Sequence, residues 1–480
     1  MRETTMRRAA LCGAGWLLLV LAGGCAMPQA LPHDTPSFAG AALPQPAAGL
    51  ALQLQPGLAV DRWWLLFDDA ALTRLIDDAL RDNHDLVAAA ARVRAARAQL
   101  DERRGAQGPA LNLQASHGRA REAGRDKVGG QHSAALEGRY ELDLWGRLGS
   151  ASESARQSLL AQQWAQAALQ SSLAAQVADA WFALRAVDRQ IALSEALKET
   201  RRATVRLRQQ EREAGAGSEF ELRRAEAELA GADASLVALR RQRSALESGL
   251  ALLSGRSAHQ IAGFALPVEP LDPAQPFIAR LPQGSTAMLL AQRPDIRRAE
   301  AELTAARANV DSARAATMPS IVLAGRLGSD AQTLSQLFNG PAFAWSLVGS
   351  AAQILFDGGQ AKARVSGAEA RGDELLAGYQ RAVTAAFIDL RDAYADLQQG
   401  EAAQRAEQQR VAALMRARAL AQLGVRNGAL SVLDLLDAER QLYQAQLAEV
   451  DALRDRLQGQ VAAFKAVGGG WSAPADEPRS

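Results

Sequence analysis

The chain has 480 residues, 54 Lys and Arg against 53 Asp and Glu, and 48% hydrophobic residues. Its net charge of +1 offers no basic footprint for neutralising phosphates, which argues against nucleic acid as a partner. Of the 17 prolines none falls between Pro109 and Pro267 or between Pro341 and Pro474; these tracts, rich in Ala, Leu, Gln, Arg and Glu, predict long helices.

At the N-terminus, Arg7 and Arg8 precede an apolar run from Ala9 to Gly24 that is short for a bilayer span, the layout of a secretory signal over residues 1–24. The run closes on Leu21, Ala22, Gly23, Gly24 and Cys25 and resembles a bacterial lipoprotein box. That resemblance implies cleavage before Cys25 and a covalent lipid on its thiol, with no other cofactor. Cys12 then leaves with the signal, and a single acylated cysteine forms no disulfide. Ala26, in place of an Asp, favours delivery to the outer membrane. Residues 25–60 contain six prolines and read as an extended tether.

From Asp61 onward the chain divides into two similar halves, 61–270 and 271–470, followed by a flexible tail over 471–480. Setting Leu80–Leu113 over Leu290–Leu323 matches Ala95, Ala96, Arg97 and Ala98 with Ala305, Ala306, Arg307 and Ala308, and Pro109 with Pro319. Farther along, Gly215, Ala216 and Ser218 match Gly428, Ala429 and Ser431, and Gly255 matches Gly468. Compositional bias toward Ala and Arg does not put prolines and turn glycines in register.

Each half has one internal order. A first helix runs from Leu72 to about Arg104, and its counterpart from Ala287 to about Ala315, each stopping before a proline. The period then changes to two. Over Ser133–Asp143 the positions Leu136, Gly138, Tyr140 and Leu142 alternate with Glu137, Arg139 and Glu141, as in a strand with one apolar face and one charged face, of a length that suits a tilted membrane span. Leu111–His117, Ile321–Leu327 and Phe343–Leu355 supply three more strands, giving a hairpin in each half. On these residues alone a soluble hairpin packed on helices is the alternative; if the strands lie in a membrane, several chains must share a barrel, since four strands do not close one and open edges are forbidden in lipid. Long helices follow, Gly149–Glu213 with Phe220–Ser254 and Gln360–Leu423 with Val432–Val467, each pair joined at a glycine turn. Roughly 60 helical residues reach about 90 Å.

These residues resemble the outer-membrane efflux channels of the TolC type, in the lipoprotein branch that works with resistance-nodulation-division pumps. The likeness runs nearly end to end. It rests on Trp63 and Trp64 with Phe67 and Asp68, on Asn83–Ala98, on Glu141–Arg147, on Gln292–Arg297, on Leu355–Gly359 and on Gly428–Tyr443. It implies a mainly α protein with membrane β structure: a trimer in which four strands per chain build one twelve-stranded barrel, continued by a helical periplasmic tunnel. The implied function is passive efflux of drugs or other small molecules across the outer membrane, the alternative being a duct for type I protein secretion. A periplasmic adaptor and a proton-driven inner-membrane pump are the implied partners.

The same resemblance implies that the turns at Gly215 and Ser218, and at Gly428 and Ser431, are tips gripped by the adaptor. It also implies that Asp434 and Asp437 ring the periplasmic entrance, their mutual repulsion raising some of their pKa values. Val425 and Leu430 stand where the family has a Tyr and an Arg latch, so closure is expected to rest on apolar contact between Phe220 and Leu430. Enzymatic chemistry finds no support. His33, His84, His117, His132 and His259 lack metal-ligand spacing, and no nucleophile elbow, phosphate loop or zinc signature occurs.

Overall fold

The structure, a computed structural model, describes residues 60–121, 128–263, 266, 269–272, 292–338 and 343–471. The signal, Cys25, the tether through residue 59, the expected helix start at Ala287 and the tail after residue 471 lie outside the described residues.

A short 3-10 segment, Val60–Phe67, leads into α1 (Ala70–Asp82), α2 (His84–Gly105), β1 (Ala110–Arg121) and β2 (Val128–Leu142). Then come α3 (Arg147–Glu213), α4 (Glu219–Leu253) and the short α5 (Ala258–Ala262). The second half repeats the order as α6 (Pro294–Ala315), β3 (Ser320–Ala331), β4 (Phe343–Ala352), α7 (Gln360–Arg426) and α8 (Val432–Ala466). The repeat extends to lengths: α3 and α7 have 67 residues each, α4 and α8 35, and α2 and α6 22. At 1.5 Å per residue the two longest are rods of about 100 Å.

The first helix is two helices. The chain breaks at Asn83, which is extended at φ −63° and ψ 129°. Its Oδ1 accepts hydrogen bonds from Asp85 N (2.8 Å) and Leu86 N (3.2 Å), and its Nδ2 donates to the Leu253 carbonyl (2.9 Å). A buried Asn that caps the next helix and reaches a distant carbonyl outweighs the helical propensity around it. Gly255 makes the close approach possible: its φ is +69°, and a Cβ there would lie 2.1 Å from the Asp82 carbonyl oxygen. The second half uses the same device with other residues. Arg293, the N-cap of α6, donates to the Ala466 carbonyl (3.3 Å), and Gly468, at φ +84°, packs against its Cα.

The four strands form one antiparallel sheet in the order β1-β2-β3-β4, which leaves β1 and β4 as edges. All four are strands where expected, but β1 and β3 extend farther, to Arg121 and Ala331, while β2 stops at Leu142 and β4 at Ala352. Register separates two kinds of row. Leu113, Leu136, Leu327 and Trp345 stand side by side across the sheet, and next to them, on the other face, stand Asn112, Glu137, Arg326 and Ser346. The apolar row is open, with Leu113 81% and Trp345 74% exposed. On the polar face Arg326 pairs with Asp330 (2.7 Å) and faces Glu137 (3.6 Å), and Ser116 bonds Ser133 (2.8 Å). Among the described residues no helix is long and apolar enough to cross a membrane.

The main core is a belt around the middle of α3 and α7 and the later half of α8. Val177, Trp181, Phe182 and Leu184 meet Val383, Ala386 and Leu390 from α7 and Val461 and Phe464 from α8. Trp63, Trp64, Leu72 and Ile76 close it from outside, with Trp63 stacked on Phe464 at 5.5 Å between ring centroids. Asp69 ties the lid down. Its Oδ1 caps α1 through Ala71 N and Leu72 N, and its Oδ2 accepts from Trp181 Nε1 (2.8 Å) and Arg185 Nη1 (3.1 Å). The belt fixes two arms, with the sheet at one end and the helical tips at the other.

Candidate gate and docking tips

Both tips are built by the same backbone logic. After α3, Gly215 takes φ +77°, Gly215 N donates to the Arg212 carbonyl (2.9 Å) and Ala216 N reaches back to the Glu211 carbonyl (2.8 Å). After α7, Gly428 takes φ +71°, Gly428 N donates to the Val425 carbonyl (3.1 Å) and Ala429 N to the Gly424 carbonyl (2.8 Å). These paired bonds satisfy carbonyls that a helix end leaves orphaned, and the left-handed residue suits glycine. A Cβ on either glycine would meet nothing within 4 Å. Both therefore face open space, and backbone conformation alone explains their identity.

The next helices start on serine caps. Ser218 Oγ accepts from Phe220 N (3.2 Å). Ser431 Oγ accepts from Asp434 N (3.2 Å), while the Asp434 carboxylate accepts from Ser431 N (2.9 Å) and Ser431 Oγ (2.7 Å), a reciprocal capping box.

Between the starts of α4 and α8 and the far part of α3 lies a groove of about 830 Å³. Phe220, 72% exposed, lines it together with Ser431, Asp434 and Asp437. Leu430 does not line it. That side chain turns onto its own tip, where it fills the space a Cβ on Gly424 would need, 2.7 Å from Leu430 Cγ. Within the chain, Leu430 packs on Gly424.

Within a single chain the two carboxylates are each held by their own neighbours. Hydrogen bonds from the Ser431 side chain and backbone hold Asp434 below the ordinary carboxylate range, and these outweigh repulsion from Asp437. Arg440, then Gln441, hold Asp437 low. Both acids are ionised at neutral pH.

The groove has a basic wall that sequence reasoning missed. Arg201 and Arg208 from α3, Arg224 from α4 and Arg440 from α8 face Glu221, Glu228, Asp434 and Asp437. Arg201 is only 5% exposed, and the nearest carboxylate oxygen to its Nη1, on Glu439, is 3.9 Å away. The signal was available: Arg201, Thr204 and Arg208 step by three and four along one helix face.

The arrangement, an apolar-faced sheet at one end and a charged groove between two capped tips at the other, suits a conduit. Comparison with known proteins agrees. Residues 75–256 and 286–469 match the family described as outer membrane efflux protein. The pyoverdine export outer membrane protein OpmQ of Pseudomonas putida is 34% identical over 431 residues, covering 86% of this chain and 88% of its own. Outer membrane protein OprJ of Pseudomonas aeruginosa is 33% identical over 488 residues, covering 99% of this chain and 98% of its own. The solved structure of the outer-membrane channel OprN superposes with a TM-score of 0.83 at 31% identity, covering 92% of this chain and 99% of its own. With both repeats matched and the sheet and tips accounted for, the chain belongs to the outer membrane efflux protein family and is an outer-membrane channel component of an efflux system.

Proposed function

We propose that three copies of the chain assemble into one passive export duct. The observation that carries this reading is the sheet: four strands with one apolar exposed face and two unpaired edges. Edge N–H and C=O groups have no partner in hydrocarbon, and about eight strands are the least that close a barrel. Three chains supply twelve. The long helices then continue the barrel as a periplasmic tunnel, and a duct without an energy source needs an inner-membrane pump of the resistance-nodulation-division class. The tips at Gly215, Ser218, Gly428 and Ser431 are the docking points for a periplasmic adaptor, their open glycine surfaces allowing another backbone to come close. Asp434 and Asp437, with Phe220 in the same groove and Leu430 on the adjoining tip, guard the periplasmic mouth. The conducted molecules are small, as pyoverdine export by the relative suggests. Cys25 carries the lipid, which aids delivery to the outer membrane.

Native mass measurement of the detergent-extracted protein tests assembly and anchoring together. Wild type is expected as three chains, each bearing a lipid mass, and Cys25→Ser as three chains without it. A single-chain mass would overturn the shared duct, and lipid retained on the Ser variant would overturn the anchor.

A further inference from the structure

Five histidines are scattered through the sequence, but strand pairing brings two of them together. His117 of β1 stands directly opposite His132 of β2. Their Nδ1 atoms are 3.2 Å apart, and the ring centroids 4.5 Å. The pair lies on the apolar face, in the row beyond the one holding Ala115, Ala134, Ser329 and Phe343, at the end of the sheet away from the helices. From the Leu113 row this is four residues along β1, roughly 13 Å at about 3.3 Å per residue. Barrel strands tilt by about 35–45° and the apolar band is about 25 Å tall, so this is about 10 Å of height, and if the Leu113 row lies near the middle the histidines stand just inside the outer boundary.

We propose that His117 and His132 form a two-imidazole binding site for a first-row divalent cation of the Zn²⁺, Ni²⁺ or Cu²⁺ class. Imidazole nitrogen suits these ions. At a metal–nitrogen distance of about 2.0–2.1 Å, two nitrogens set this far apart subtend about 100° at the metal, between the square-planar and tetrahedral angles. In the free protein the two Nδ1 atoms share one hydrogen bond. Binding moves that proton to Nε2, so that both Nδ1 lone pairs turn to the metal and no net proton is lost. Gly130 lies close against the Gln332 carbonyl, 2.6 Å from where its Cβ would be, and next to the His132 ring, whose Nε2 would be 3.3 Å away. Among the described residues no third His, Cys, Asp or Glu joins the pair, which leaves the remaining coordination positions to water. A bound cation ties β1 to β2 at the outer end of their pairing.

Cu²⁺ added to full-length protein purified without a polyhistidine tag tests the site by pulsed electron paramagnetic resonance. One Cu²⁺ per chain with a two-imidazole modulation pattern is expected, displaced by excess Zn²⁺. His117→Gln and His132→Gln should each abolish that pattern, while His84→Gln and His259→Gln leave it intact. A wild-type spectrum without two imidazoles overturns the proposal even if a variant fails to assemble. So does a two-imidazole pattern that persists in an assembled His117→Gln or His132→Gln protein.

Discussion

Asp434 caps the helix it begins, and this supports the role proposed for it at the periplasmic mouth. Its carboxylate accepts two hydrogen bonds from Ser431 and sits at the positive end of α8, so its ionised form is favoured. A group whose pKa is depressed keeps its charge down to its ordinary value, 3.8, and loses it only below. Cation selectivity, read from reversal potentials, should therefore stay level from pH 7 to about pH 4 and fall only beneath that. Asp434→Asn combined with Asp437→Asn should lower it at every pH. Selectivity already declining between pH 7 and pH 5 would mean that the carboxylates crowd one another and share protons. The acid pair was legible from its three-residue spacing. The capping box is equally legible as Ser431-Val432-Leu433-Asp434, and its hydrogen bonds act on Asp434 more strongly than Asp437 does. No such local signal existed for Leu430, whose seat on Gly424 depends on the tip's fold.

At the scale of elements, the chain distinguishes glycines that turn from glycines that touch. Gly215 ends α3 in open space, so Gly215→Ala meets only the left-handed backbone penalty, about 1–2 kcal/mol. Gly255→Ala adds a collision with the Asp82 carbonyl and should cost clearly more, separating α4 from the α1–α2 break. Urea unfolding midpoints of the two variants give the comparison, and equal losses would remove the packing role. The sheet allows a second contrast. Leu113 and Asn112 are neighbours on opposite faces of β1, opposite Leu136 and Glu137 respectively. Leu113→Arg should cost roughly 2–4 kcal/mol in a bilayer if its row lies near the middle, whereas Asn112→Arg gains a carboxylate opposite and should be mild. Folding titrations into lipid vesicles measure both, and similar costs would place neither face in lipid. Glu141 is a poorer lumen control, because it holds Arg147 through two hydrogen bonds to Nη2 and one to Nε.

For the molecule as a whole, periodicity carried most of the architecture. Long Pro-free tracts became α3 and α7, alternation became β2, and the offset between Gly255 and Gly468 became a repeated contact between the end of one helix and the start of another. The break at Asn83 was hidden, because it depends on the Leu253 carbonyl 170 residues away. The basic wall of the groove showed only as the spacing of Arg201, Thr204 and Arg208: charged residues on a long helix usually mark a solvated face, and the packing of α3 beside α4 and α8 is what sets Arg201 apart. The apolar rows of the sheet support the proposed pore shared between chains. Single-channel recording of the purified assembly in a planar bilayer tests that most directly. Wild type should give discrete, long-lived, cation-selective conductance steps that Leu113→Arg abolishes. A correctly assembled protein that inserts into the bilayer yet conducts nothing, with the tips free of partners and the potential swept in both directions, would contradict a shared pore.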